Sequence, residues 1–199
     1  MKSNLASVSA AASLLAAITL AAPTAIAADN PAKPAAANKP MDKATRGKYL
    51  VNTSGCHDCH TPFKMGANGP EPDLSRMLSG HPQELKMPPA PALPPGPWLV
   101  VSSATNTAHA GPWGVSFTAN LTPDKETGLG DWTAQDFKNT IRSGRHLGRG
   151  RAVLPPMPIP VYNNMTDDDL ESVFAYLRTI APIKNRVPEP WAPPAAAAK

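Results

Sequence analysis

Apolar residues fall at helical spacing in three stretches of the chain, and the ground between them is nearly patternless. Residues 42–52 (DKATRGKYLVN) predict a short helix with Ala44, Tyr49, Leu50 and Val51 on its apolar side, and with Gly47 where another element could approach closely. Residues 133–143 (TAQDFKNTIRS) predict a second. Thr133 stands as N-cap with Asp136 three residues on, Phe137 and Ile141 share a face, and Gly144 sits where a left-handed C-cap is wanted. Residues 166–180 (TDDDLESVFAYLRTI) form the clearest helix. Asp167, Asp168 and Asp169 favour the dipole at its amino end, Leu170, Val173, Phe174, Leu177 and Ile180 make the apolar stripe, and Pro182 stops it.

Between these helices, residues 61–131 show almost no periodicity and read as a loop-rich insertion. Within it, residues 82–97 carry seven prolines in sixteen positions, for which extended polyproline-like backbone is the physical default. This segment either wraps the site or presents a surface to a partner. Residues 28–41 are an Ala/Pro/Lys linker that cannot bury enough apolar surface to order itself, and residues 188–199 are a loose Pro/Ala tail apart from Trp191. What remains, residues 42–187, is one domain of about 145 residues, a usual size.

The amino end has its own pattern. Lys2 precedes an apolar, Ala-rich run from Leu5 to Leu20, and Ala25-Ile26-Ala27 closes it in cleavage form, so residues 1–27 read as a signal peptide cut near Ala27. An uncleaved anchor is the alternative reading. The run is short for a membrane span of about 20 residues, and it has neither a twin arginine nor a nearby cysteine for lipidation. The expected location is the periplasm, with no stable membrane insertion of the mature chain. Cleavage removes Lys2 and takes the formal charge from +4 to +3, too mild and too dispersed for a nucleic-acid footprint.

The candidate chemistry lies directly after the first helix. Cys56-His57-Asp58-Cys59-His60 holds the only two cysteines of the chain, in the pattern of a c-type haem attachment site. Two thiols separated by two residues can each reach a vinyl group of one porphyrin, and the following histidine turns under the ring toward iron. A disulfide oxidoreductase would place the pair in a thioredoxin-like βαβ pattern, which the flanks do not show. Zinc would need four ligands, and His81, His109 and His146 lack finger spacing. A structural disulfide would leave His60 without a purpose.

With His60 as one axial ligand, the other comes from Met65, Met77, Met87, Met157, Met165, His81, His109 or His146. Met157 is favoured over the rest because Pro155, Pro156 and Pro158 stiffen its loop at low entropic cost, although an isolated methionine of this kind is more often a gap-filler. His146 is the main rival. It lies in a loop with Arg142, Arg145, Arg149 and Arg151, a cluster that is solvated charge, a partner for haem carboxylates, or a docking patch for an acidic redox protein.

The segments ATRGKYLVNTSGCHDCHTP, FTANLTPDKETGLGDWTAQDF and LPPMPIPVYNNMTDDDLESVFAYLRTIAP resemble the class I, single-haem type of c-type cytochrome. They are most similar to the cytochrome c domains found with periplasmic alcohol, aldehyde and sugar dehydrogenases. The resemblance covers most of residues 42–187. It implies an all-α fold of short helices around one covalent haem, in which Gly47 and Tyr49 of the first helix meet the 174–177 face of the last. It also implies that His60 donates from Nδ1 to a backbone carbonyl, expected at Pro70, and that His60 and Met157 are the axial ligands of iron. The chain carries one haem motif where such subunits often carry two or three, and no C-terminal anchor is expected. Its implied role is a periplasmic electron carrier, without catalytic residues of its own, between a dehydrogenase donor and an oxidase or other acceptor. The alternatives are an electron-accepting subunit of a dehydrogenase complex, and a haem enzyme or gas sensor with an open sixth site.

Overall fold

A computed structural model describes residues 41–91 and 96–193. The expected signal peptide and most of the linker lie outside the described residues. Helix α1 (Lys43–Thr53) is started by Asp42, whose carboxylate accepts from Thr45 N at 3.0 Å. It leads through Gly55, in the left-handed conformation, into the short α2 (Cys56–His60). Helix α3 (Ala134–Ser143) opens on a reciprocal capping box between Thr133 and Asp136 and closes on Gly144 at φ 63°. A four-residue turn of helix, α4 (Ile159–Tyr162), precedes α5 (Asp167–Leu177), which Thr166 caps by accepting from Asp169 N. The last helix therefore ends three residues before the predicted Ile180, well ahead of Pro182.

Helices α1 and α5 meet at Gly47. A methyl group there would sit 1.8 Å from the Ser172 carbonyl oxygen and 2.8 Å from Tyr176 Cβ, so the two backbones approach as closely as only glycine permits. Val51 is buried beside this contact, but Tyr49 is 59% exposed and takes no part in it, contrary to the expected pairing. Charge reinforces the crossing. Lys43 and Lys138 both pair with Glu171, and Arg46 Nε donates to Asp169 at 2.7 Å. Phe137 of α3 packs on Phe174 of α5, ring centroids 5.7 Å apart, and Leu78, Leu129, Ile141, Leu170, Val173 and Leu177 complete the main core.

The fold is mixed, and the all-α expectation is wrong. The 61–131 insertion folds into two antiparallel sheets. Strands β1 (Phe63–Gly66) and β2 (Gly69–Pro72) form a hairpin with Gly66 opposite Gly69. Strands β3 (Val101–Ser102), β4 (Ala108–Gly111) and β5 (Gly114–Phe117) form a three-stranded sheet in sequential order, with Ala108 opposite Phe117. A second cluster of Ala108, Val115 and Phe117 gathers there, with Met87 and Val187 against it. The physical reason is brevity: strands of two to four residues, one of them buried at every position, leave no alternation to read. The described part of the Pro-rich segment has no regular element beyond turns and bends, and Met87 pins it to the sheet.

Candidate functional site

One cavity of about 930 Å³ collects the chemistry singled out in the sequence. Cys56, Cys59, His60 and Met157 all line it, although Met157 lies about a hundred residues downstream of the cysteine motif. Its helical walls are apolar, with Leu50 and Val51 from α1, Phe137 and Ile141 from α3, and Leu170, Val173 and Leu177 from α5.

The short α2 is held from several sides. The His60 carbonyl accepts from Gly80 N at 2.8 Å, Thr61 Oγ1 accepts from Leu78 N at 3.0 Å, and Asn106 Nδ2 donates to the Asp58 carbonyl at 2.7 Å. His57 points away from the cavity, between Asn52 Oδ1 and Thr61 Oγ1. His60 is buried, and its Nδ1 lies 2.8 Å from the Ala119 carbonyl oxygen. A carbonyl only accepts, so Nδ1 carries the proton and Nε2 is left with a free lone pair, the tautomer a metal ligand needs. Burial lowers the imidazole pKa and keeps the ring neutral. The acceptor is Ala119 and not Pro70. Pro70 is committed to the exposed β1–β2 hairpin, whereas Ala119 directly follows the segment that hydrogen-bonds across to His81.

Burial pushes the Cys56 thiol up to about 11, and the Cys59 thiol is raised for the same reason. Disulfide-exchange enzymes need the opposite, a lowered thiol pKa. Both sulfurs are free, with no disulfide between them.

The remaining ligand candidates sort by position. Met65 is 78% exposed on the hairpin, Met77 packs in the main core without lining the cavity, and Met87 packs on the sheet. His81 is fully buried with both ring nitrogens engaged, by Thr107 Oγ1 at 2.9 Å and the Leu85 carbonyl at 3.3 Å. Met157, Met165, His109 and His146 line the cavity. His109 Nδ1 is tied to Ser102 Oγ at 2.9 Å, and the exposed His146 ring stands edge-on to Trp132 at 5.1 Å. Met157 is partly buried against the main core, and its loop is anchored by Ser116 Oγ donating to the Pro155 carbonyl at 2.6 Å. Of the arginine cluster, Arg142 is spent on the Asn163 and Met165 carbonyls and Asp167, and Arg151 pairs with Glu189. Arg145 and Arg149 find only backbone carbonyls. Sequence reasoning missed Ala119 and also the buried Asn185, whose only advance signal was the length of chain after the last helix.

No protein-family model matches the chain. It is 27% identical over 164 residues to the fructose dehydrogenase cytochrome subunit of Gluconobacter japonicus, covering 79% of this chain and 26% of that one. It is 37% identical over 75 residues to the gluconate 2-dehydrogenase cytochrome c subunit of Pantoea cypripedii, covering 37% and 17%. It is 26% identical over 147 residues to the cytochrome c subunit of the quinone alcohol dehydrogenase of Gluconobacter oxydans (strain 621H), covering 72% and 23%. The chain thus spans about a quarter or less of the length of these relatives. Two cysteines and a tautomer-fixed histidine on an apolar cavity, together with these likenesses, make the chain similar to the cytochrome c subunits of dehydrogenases and give it the residues that a covalently held haem c requires.

Proposed function

We propose that the chain carries one electron at a time on a single haem c ligated by His60 and Met157, in the periplasm, between a dehydrogenase and a downstream acceptor. The observation that carries this is the convergence of Cys56, Cys59, His60 and Met157 on one cavity. Cys56 and Cys59 would hold the group through thioether bonds, the S–H of each thiol adding across one vinyl C=C so that no atom leaves and no oxidant is needed. Haem c supplies a one-electron Fe(III)/Fe(II) couple. The chain does the rest. His60 presents Nε2, with Ala119 fixing its orientation and raising its basicity. Met157 would offer a soft thioether that favours the reduced metal, beside helical walls of apolar side chains. His60 and Met157 would both be spent on holding the group, which suits electron exchange rather than substrate binding. Among the described residues, no helix is long and apolar enough to cross a membrane.

A second reading, a cytochrome subunit within a dehydrogenase complex, is favoured by the relatives, which are named as such subunits. Expression beside a cytochrome c maturation system tests the primary reading. The wild type comes out coloured, with haem resisting acid-acetone extraction, and Cys56→Ala with Cys59→Ala comes out without attached haem. Met157→Ala loses the near-infrared charge-transfer band of thioether-ligated ferric iron, while His146→Ala and His109→Ala keep it. A colourless wild type overturns the haem assignment, and an unchanged band in Met157→Ala overturns the ligand.

A further inference from the structure

The chain keeps an ordered course after α5. Residues 183–191 run back as an irregular strap: Ile183 is tied to Asn120 and Thr122, the Arg186 N–H donates to Gln83 Oε1 at 2.8 Å, and two further fastenings flank Arg186. At the first, Asn185 is fully buried: its Nδ2 donates to the Ser79 and His81 carbonyls at 2.7 and 2.9 Å, and its Oδ1 accepts from Gln83 N at 2.9 Å. At the second, Trp191 exchanges both backbone hydrogen bonds with Val115, at 3.0 and 2.9 Å, and sets its ring edge-on to Phe117 at 5.3 Å. Between the fastenings the strap lines the same cavity as Cys56, Cys59 and His60.

The lining chemistry is divided. The helices supply apolar side chains, whereas the strap and the 125–128 turn supply charge. Glu126 and Glu189 also lie on this lining, but Lys184 takes the first at 2.7 Å and Arg151 the second at 3.6 Å. Among the described residues, Arg186, Lys125 and Lys86 line the cavity with no carboxylate within ion-pair distance, and Asp131 lines it with no cation within that distance. Three such cations against one unpaired carboxylate leave the polar side of the cavity net positive, a site for anions on a largely apolar ligand. A haem is such a ligand, with an apolar ring and two carboxylates.

We propose that the strap is the anion-holding wall of the cavity: Arg186 and Lys125 bind the haem carboxylates, and the Asn185 and Trp191 fastenings hold Arg186 in place. This rests on the haem reading above. Positive charge fixed there favours the metal in its less positive state, so the strap raises the reduction potential. The test is a redox titration of the holoprotein, followed by its optical spectrum. Arg186→Gln and Lys125→Gln each lower the Fe(II)/Fe(III) ratio at fixed applied potential by about threefold, tenfold being about 59 mV for one electron. Arg186→Lys keeps the wild-type ratio, as does Lys48→Gln at an exposed lysine of α1 that does not line the cavity. Trp191→Ala changes no charge and removes the ring seated on Phe117 while the backbone pair with Val115 remains, so it moves the ratio in the direction of Arg186→Gln by a smaller amount. A coloured Arg186→Gln, Lys125→Gln double variant with the wild-type ratio overturns the proposal. An unmoved Trp191→Ala overturns the role of the fastening. A colourless wild type overturns the haem reading instead.

Discussion

Replacing Gly47 by alanine pits helix propensity against packing, and the geometry decides the outcome. Propensity alone favours alanine by about 1 kcal/mol in a helix interior. The new methyl would lie 1.8 Å from the Ser172 carbonyl oxygen and 2.5 Å from its carbonyl carbon, which are backbone atoms that no rotamer change can move. Restoring van der Waals contact requires α1 and α5 to separate by roughly 1.5 Å, and a gap of even 0.5–1 Å forfeits about a quarter to a half of each dispersion well along the seam. That seam includes Val51, Leu170 and Leu177, each 1% exposed. Strain and lost contact together exceed the propensity gain and leave a net destabilisation of about 2 kcal/mol or more. For a domain of this size the melting temperature falls by about 4–8 °C. Thermal unfolding of the coloured holoprotein, followed by far-ultraviolet circular dichroism, measures it. A melting temperature equal to or above wild type would show that propensity wins and that the close approach of the helices has been misjudged.

Two further outcomes follow from the charges. Lys138 and Lys43 hold the Glu171 carboxyl down from its ordinary 4.5 to about 2, so its contribution to stability is complete above pH 4.5 and is lost as pH falls toward 2. Glu171→Gln therefore flattens the pH dependence of the urea midpoint across that window and leaves the slope above it unchanged; an unaltered acid slope counts against the triad. Arg145→Glu with Arg149→Glu, at the two loop arginines without carboxylate partners, slows reduction of the ferric protein by ferrocyanide, quickens it with a cationic reductant and weakens the salt dependence of the first. Equal changes with both reagents would remove the idea of a steering patch.

Much of the helical frame could be read from local signals. Thr133, Asp136 and Gly144 mark both ends of α3 because caps act within one turn, and the cysteine motif carries its chemistry in five residues. Tyr49 misled because apolarity is not direction. It lies two residues from both Gly47 and Val51, and positions two apart on a helix do not share a face. The sheets escaped because their strands are too short to show a period, although Asn68-Gly69 at the first hairpin was a turn signal available to be read. The Ala119 acceptor and the Asn185 anchor are contacts across 59 and more than 100 residues, and no local pattern encodes them.

Because Gly47 and its partner Ser172 stand about 125 positions apart, the central helix pair cannot form until nearly the whole domain has emerged from synthesis or export. Leu170, Val173 and Leu177, which wall in the two sulfurs, arrive with that late partner. The order of the chain thus leaves Cys56 and Cys59 open first and encloses them afterwards, a timing written into connectivity alone.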